Sequence, residues 1–189
     1  MSVKSVMMDF FYDEIIKMLV GVTNAPAAGA QNIIPLYQPE GAGGIKDVHP
    51  DVVFYNLVFR DDGYNKQIEA TISGNDDPAL TTSTTKYNRE FQLQFFCCGD
   101  NAFEWADTLR IMLFDRNITE DFASQGMSLI TSVREPDYAP ESINQQWLER
   151  YDLRADFNHL VIKQSTIPAI AFADVIIESK NGVEATCSV

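Results

Sequence analysis

The sequence predicts an α+β fold: a mostly antiparallel sheet of about five to six strands, two main helices packed on one of its faces, and a long extended N-terminal arm or loop. Three observations carry this expectation. Residues Lys86–Cys97 alternate strictly between two faces, the period of a half-buried strand. Residues 101–114 instead place apolar side chains at helical spacing. The strand-like segments also come in runs rather than alternating one by one with helices, so a parallel α/β repeat is excluded.

The elements follow in order. Residues 5–22 form an amphipathic helix with Phe11, Ile15, Met18, Leu19 and Val22 on one face. Asp13 and Lys17 are spaced i,i+4 on its wet side. Residues 23–50 carry Pro26, Pro35, Pro39 and Pro50 among Gly29, Gly41, Gly43 and Gly44, and read as an extended arm or long loop. So long a structureless segment is uncommon inside a compact domain. An arm on a neighbouring subunit and a disordered linker both fit it. Val52–Arg60 is almost continuously apolar, as in a strand buried on both faces. Asp61-Asp62-Gly63 supplies a tight turn into Lys66–Ser73, where Ile68, Ala70 and Ile72 share a face. Gly74–Thr85 reads as a polar loop.

In Lys86–Cys97 the apolar face carries Phe91, Leu93 and Phe95. Asp100 is placed to cap the helix that follows, whose inner side holds Trp105 and Leu109. Thr119–Gln125 is a short helix with Thr119 as cap and Gly126 as stop. Met127–Val133 is a short strand and Pro136–Ser142 a connector. Gln146–Asn158 alternates again. Trp147, Glu149, Tyr151, Leu153, Ala155 and Phe157 share one face, and Leu148, Arg150, Asp152, Arg154 and Asp156 the other. The second face mixes charge signs, which suits cross-strand ion pairs or a wet subunit contact. The expected core is Phe91, Leu93, Phe95, Trp105, Leu109 and Leu153, with Trp147 beside them. Ile167–Ile177, interrupted by Pro168 and Asp174, is an edge strand or part of the core, and residues 178–189 form a loose polar tail. The 189 residues thus read as a single domain, 1–189.

Composition narrows the function classes. The 14 Lys+Arg against 27 Asp+Glu leave a net charge of −13. Phosphate backbones and anionic membrane surfaces both attract clustered Lys and Arg, and no such cluster occurs. The N-terminus has no uninterrupted apolar run, because Asp9, Asp13 and Glu14 break it, so no signal peptide is expected. No membrane span is expected either, since that takes about 18 consecutive apolar residues. The three cysteines, Cys97, Cys98 and Cys187, fit neither a metal knuckle nor an easy disulfide. The odd count fits synthesis in a reducing cytosol, and Cys97-Cys98 reads as a buried pair of small hydrophobes.

Catalytic chemistry finds little support. His49 and His159 are the only histidines and sit in no recognisable motif. Asp61, Asp62, Asp76 and Asp77 lack the spacing of a calcium loop and read as solvated turn residues. Gly41-Ala42-Gly43-Gly44 follows no strand and precedes no capped helix, so it is no phosphate cradle. Asn117-Ile118-Thr119 matches a glycosylation sequon, which means nothing without secretion. No enzyme activity, cofactor or metal is expected.

From residue 91 to 157 the chain resembles the neck or tail terminator proteins of tailed bacteriophages. The resemblance rests on FQLQFFC, a Gly-Asp-Asn-Ala helix start, the helix FEWADTLRIMLF, the short helix ending at Gly126, a strand to Arg134 and a Pro-containing connector. Trp147-Leu148-Glu149-Arg150-Tyr151-Asp152-Leu153, an aromatic and Glu-Arg entering an alternating strand, is its most telling piece. The N-terminal helix, the Pro-rich stretch and VVFYNLVFR look similar too, so the likeness runs to about residue 160. It implies a non-enzymatic virion part, assembled in the bacterial host cytoplasm. Such a part forms a homohexameric ring that ends the tail tube and joins the head-side connector, with the sheath nearby. Double-stranded DNA passes its lumen without specific binding. Under this reading Arg60, Asp61, Asp62, Glu149, Arg150, Asp152 and Arg154 are the candidate assembly contacts. Another tail-completion or baseplate component, or a small carboxylate-based enzyme or ligand-binding domain, remains an alternative.

Overall fold

The structure, a computed structural model, describes residues 3–22, 32–36, 51–60, 67–74, 80–130, 133–143, 145–169, 174–178 and 184–188. In chain order these hold α1 (Val3–Met18), β1 (Ile33–Pro35), β2 (Val52–Phe59), β3 (Glu69–Gly74), β4 (Leu80–Cys98), α2 (Ala102–Met112), α3 (Arg116–Ser124), β5 (Met127–Leu129), β6 (Asp137–Tyr138), β7 (Glu141–Ile143), β8 (Gln146–Leu148), β9 (Arg150–Pro168), β10 (Asp174–Glu178) and β11 (Glu184–Ser188). The class is α+β. Most of the 23–50 arm, the 61–66 turn and Asp76-Asp77 lie outside the described residues.

The chain divides into two compact units, one of residues 1–66 with 88–160 and one of residues 67–87 with 161–189. In the first, the sheet runs β1-β2-β4-β9-β5, with β6 also on β9. β1 pairs parallel with β2, and β2 antiparallel with β4, Phe59 lying opposite Phe91 and Val52 opposite Cys98. All three helices pack on one face of this sheet. Phe11, Ile15 and Leu19 of α1 and its end, Trp105 and Leu109 of α2, and Ile118 and Phe122 of α3 meet Tyr55, Phe91, Leu93, Phe95, Leu153 and Phe157 in one buried cluster. Its centre is aromatic: the Phe91 and Phe157 rings stack at 5.2 Å, and Phe122 meets Phe157 edge-on at 5.2 Å. Tyr55 adds a directional tie by donating its hydroxyl to the Met8 carbonyl at 3.1 Å.

The opposite face is divided. Near the start of β2 it is apolar, where Val52, Phe54, Cys98 and Leu148 form a second small core. Val52–Phe59 is therefore buried on both faces at its start, while Val58 and Phe59 are exposed. The β7–β8 hairpin delivers Leu148 into this cluster and leaves Trp147 outside, 75% exposed. Trp147 is thus not beside the main core. Gln146–Asn158 is not one continuous strand, since Glu149 separates β8 from β9.

Several local expectations are corrected. Lys17 binds Glu14 at 2.7 Å and Asp121 of α3 at 2.8 Å, rather than Asp13. β3 pairs antiparallel with β4, not with β2 across the Asp-Gly turn. Thr81–Thr85 belong to β4 and not to a loop, because β-branched residues suit an extended strand even when polar. β9 likewise continues past Asn158 to Pro168. In the second unit β10 and β11 pair antiparallel, so residues 184–188 of the polar tail form a strand.

Helix ends differ too. α3 starts at Arg116 and is capped by Asp115, whose carboxylate accepts from the Asn117 amide at 2.8 Å. Thr119 lies inside it and donates to the Arg116 carbonyl. Gly126 ends it at φ +71°, where a Cβ would stand 3.2 Å from the Leu160 carbonyl oxygen, so glycine is required. The N-cap position of α2 is Asn101 and not Asp100. Asp51, at the entrance to β2, accepts from both the amide and the Nδ2 of Asn101 at 2.7 Å, a cap supplied from a distant strand. Asp51→Ala is expected to lower stability by about 1–2 kcal/mol in thermal denaturation, the upper range for cap removal.

Candidate functional site

The charged face of the sheet is built by register. On β9 Leu153, Ala155 and Phe157 point into the core, so Asp152, Arg154 and Asp156 leave from the other side. On β4 Phe91, Leu93 and Phe95 are inward, and Gln92 and Gln94 share the charged side. Gln92 donates to Asp156 Oδ1 at 2.8 Å, and Gln94 donates to Gln92 Oε1 at 2.8 Å. Arg60, just beyond β2, reaches Asp156 at 3.3 Å and Glu90 at 3.5 Å. Polar groups on neighbouring strands thus satisfy one another in a ladder.

Arg150 is the most constrained cation of this face. Its Nε and one terminal nitrogen fork onto the two Asp152 oxygens at 2.7 and 2.9 Å. Glu141 lies 3.2 Å from its other nitrogen, and the Phe96 ring centroid 4.7 Å from its Cζ. Asp152 is buried, and its hydrogen bonds raise the guanidinium pKa further above its ordinary value. Arg150 also borders an apolar hollow of about 270 Å3 with Leu36, Phe54, Phe96 and Cys98.

Arg154 contrasts with it. This side chain is exposed and, among the described residues, carries no hydrogen bond or ion pair; the same holds for Arg134. Both line a polar cleft of about 350 Å3 with Arg60, Gln92, Asp137, Asp152, Asp156 and Glu135, the last held by Arg110 at 3.0 Å. Of the candidate assembly contacts, the structure therefore gathers Arg60, Asp152 and Arg154 in one cleft, with Arg150 at its border through Asp152. Glu149 is exposed and contributes its carbonyl to the Gly99 amide at 3.1 Å. Asp61 and Asp62 lie outside the described residues. Arg134, Glu135 and Asp137 were not legible as members. β6 brings Asp137 opposite Asp152 by pairing with β9, and the only hint is the charged run around Pro136.

Other reactive groups are shielded. Cys97 belongs to the main core and Cys98 to the second, and both thiols are free. Burial pushes the Cys97 thiol well above its usual range and the Cys98 thiol to about 11. Neither is expected to react with iodoacetamide at pH 7.5 until the chain is unfolded, as mass spectrometry of labelled peptides would read. His159 is half-buried, and burial followed by the nearby Arg89 charge holds its pKa below the ordinary imidazole value. Its Nδ1 has no partner among the described residues. Its protonation therefore opposes folding: the contribution is intact above about pH 6.5 and lost as pH falls through the lowered value. Among the described residues no group of three or more His, Cys, Asp or Glu is placed to hold a metal ion. No helix there is long and apolar enough to cross a membrane.

Among the described residues the arrangement offers paired, mutually neutralised charge beside two unspent arginines, which is the chemistry of a contact surface. A comparison with curated proteins finds no match. A family model described as phage neck terminator protein matches residues 9–182, which takes in both the Gly-Pro stretch and the segment beyond residue 160. With its helical layer, its sheet and nearly its whole length inside that match, the chain belongs to the phage neck terminator protein family, a family of structural parts of the phage neck and tail.

Proposed function

We propose that six copies of the chain form a ring that closes the tail tube at its head-side end and joins it to the connector, leaving a lumen for DNA. The observation that carries this reading is the exposure of β3. All six of its residues are exposed, and Ile72 is 67% accessible on a strand that has one partner among the described residues. Ile162 and Ile167, in the same unit, are exposed as well. Open strands with large apolar side chains left wet on a lone chain are covered when copies assemble.

Charge supports the lumen. Six copies at −13 carry −78 formally, which repels phosphates and lets DNA slide past without sticking. The tube and connector proteins are the partners at the two ends of the ring, the location is the virion neck, and assembly takes place in the host cytoplasm. No catalytic step is part of this reading.

Mixing the purified chain with tail tubes and imaging them by negative stain tests it. Tubes capped at one end by a ring are expected. A chain that stays monomeric and never joins a tube would overturn the proposal.

A further inference from the structure

We infer that neighbouring copies meet head to tail, the arginines of the sheet cleft in one copy docking into an acidic groove between α1 and α3 of the next. This rests on the ring reading above and adds which surfaces of the chain form the contact.

The groove, about 510 Å3, is floored by Phe10 and Ile16 and rimmed by Asp13, Glu14 and Asp121. Among the described residues Lys17 is the one cation lining it, and it is already held by Glu14 and Asp121. Two negative charges therefore remain uncompensated there. Glu14 strengthens the case. Its side chain is 2% exposed and its Oε1 is spent on Lys17, while its buried Oε2 has no hydrogen-bond partner among the described residues. A buried carboxylate oxygen without a donor is costly, and a guanidinium brought to the mouth of the groove offsets its charge without touching the atom itself.

The donor is on the same chain. The cleft lining carries Arg60, Arg134 and Arg154 against Glu135, Asp137, Asp152 and Asp156. Arg60 is held by Asp156 and Glu90, whereas Arg134 and Arg154 have no ion pair among the described residues and are the two arginines left to reach outward. Arg154 leaves β9 on the side opposite Leu153 and Phe157, whereas α1 and α3 pack on the side of those two residues. One copy cannot bring the two surfaces together, because its own sheet lies between them; the next copy can. A contact between two different patches is heterologous, and such contacts close into rings when the rotation permits.

The test is charge exchange read by light scattering at low salt, with circular dichroism as a folding control. Arg154→Glu and Asp121→Arg, each alone, are expected to weaken ring assembly at least about tenfold, since each sets like charges face to face. The double variant restores opposite charges and is expected to restore the ring. An equimolar mixture of the two single variants is also expected to assemble, alternating around an even-numbered ring. If Asp121→Arg lowers the melting temperature, Asp13→Arg repeats the test at a residue outside the Lys17 pairs. Rings that persist in both single variants, or a folded double variant that does not recover, overturn the contact while leaving the ring reading intact. Rings that persist in Arg154→Glu while Asp121→Arg disrupts them would take the cleft out of the contact and also overturn it. A wild-type chain that never assembles overturns both.

Discussion

Trp105→Ala is expected to cost about 3–5 kcal/mol, the range for removing a fully buried large aromatic side chain. Trp105 sits on α2 with 1% of its surface exposed, within the cluster shared by the helices and the sheet. Domains of this kind are stable by only about 5–15 kcal/mol, so the loss takes a large share of the total. The melting temperature is expected to fall by on the order of 10 °C. Ile111 and Phe114, at or just beyond the end of α2, are about half exposed, so shortening either is expected to change stability far less. Melting of Trp105→Ala at the wild-type temperature would contradict the packing described for α2.

The second large effect separates two arginines that the sequence presents as equivalents on one strand face. Arg150→Glu removes a bidentate partner from buried Asp152 and sets a third carboxylate beside Glu141 and Asp152. Breaking a fully buried pair costs about 3–5 kcal/mol; with Arg150 22% exposed, solvent screening brings the expectation to about 2–3 kcal/mol. Arg154→Glu is expected to leave the melting curve within about 0.5 kcal/mol of wild type, as for ordinary surface changes, and to act on assembly instead. Chemical denaturation of both variants beside light scattering checks this. Equal destabilisation by the two would mean that Arg154 contributes to the fold no less than Arg150 does.

The parts of this structure that sequence reasoning reaches are those with local periodicity. The alternation through Phe91, Leu93 and Phe95 places β4 and its inner face without knowledge of any partner. The spacing of Trp105, Ala106 and Leu109 does the same for α2. What escapes is set by contacts distant in the chain. Asp51 caps a helix that starts about 50 residues later, while Asp100, beside that helix, looks like the natural cap. The Asp-Gly turn argues for pairing β3 with β2, yet β4 takes it. The Thr-rich start of β4 and the far end of β9 are half-wet to fully exposed, so no buried face imposes a period on them. Trp147 looks like core from its size alone, yet β8 pairs with β7 and not with the main sheet, and the ring stands exposed. At the site, the charges of β9 are legible because alternation fixes their face. Arg134 and Asp137 are not, because β6, a strand of two residues, brings the connector in with no pattern to announce it.

An electron-microscopy map of the intact neck tests the ring most directly, because it reads position and copy number together. Six copies of this fold are expected in a closed ring at the head-side end of the tube, with the helical layer of each copy against the charged sheet face of the next. A neck whose ring is built by another protein, with this chain located elsewhere in the virion, would contradict it.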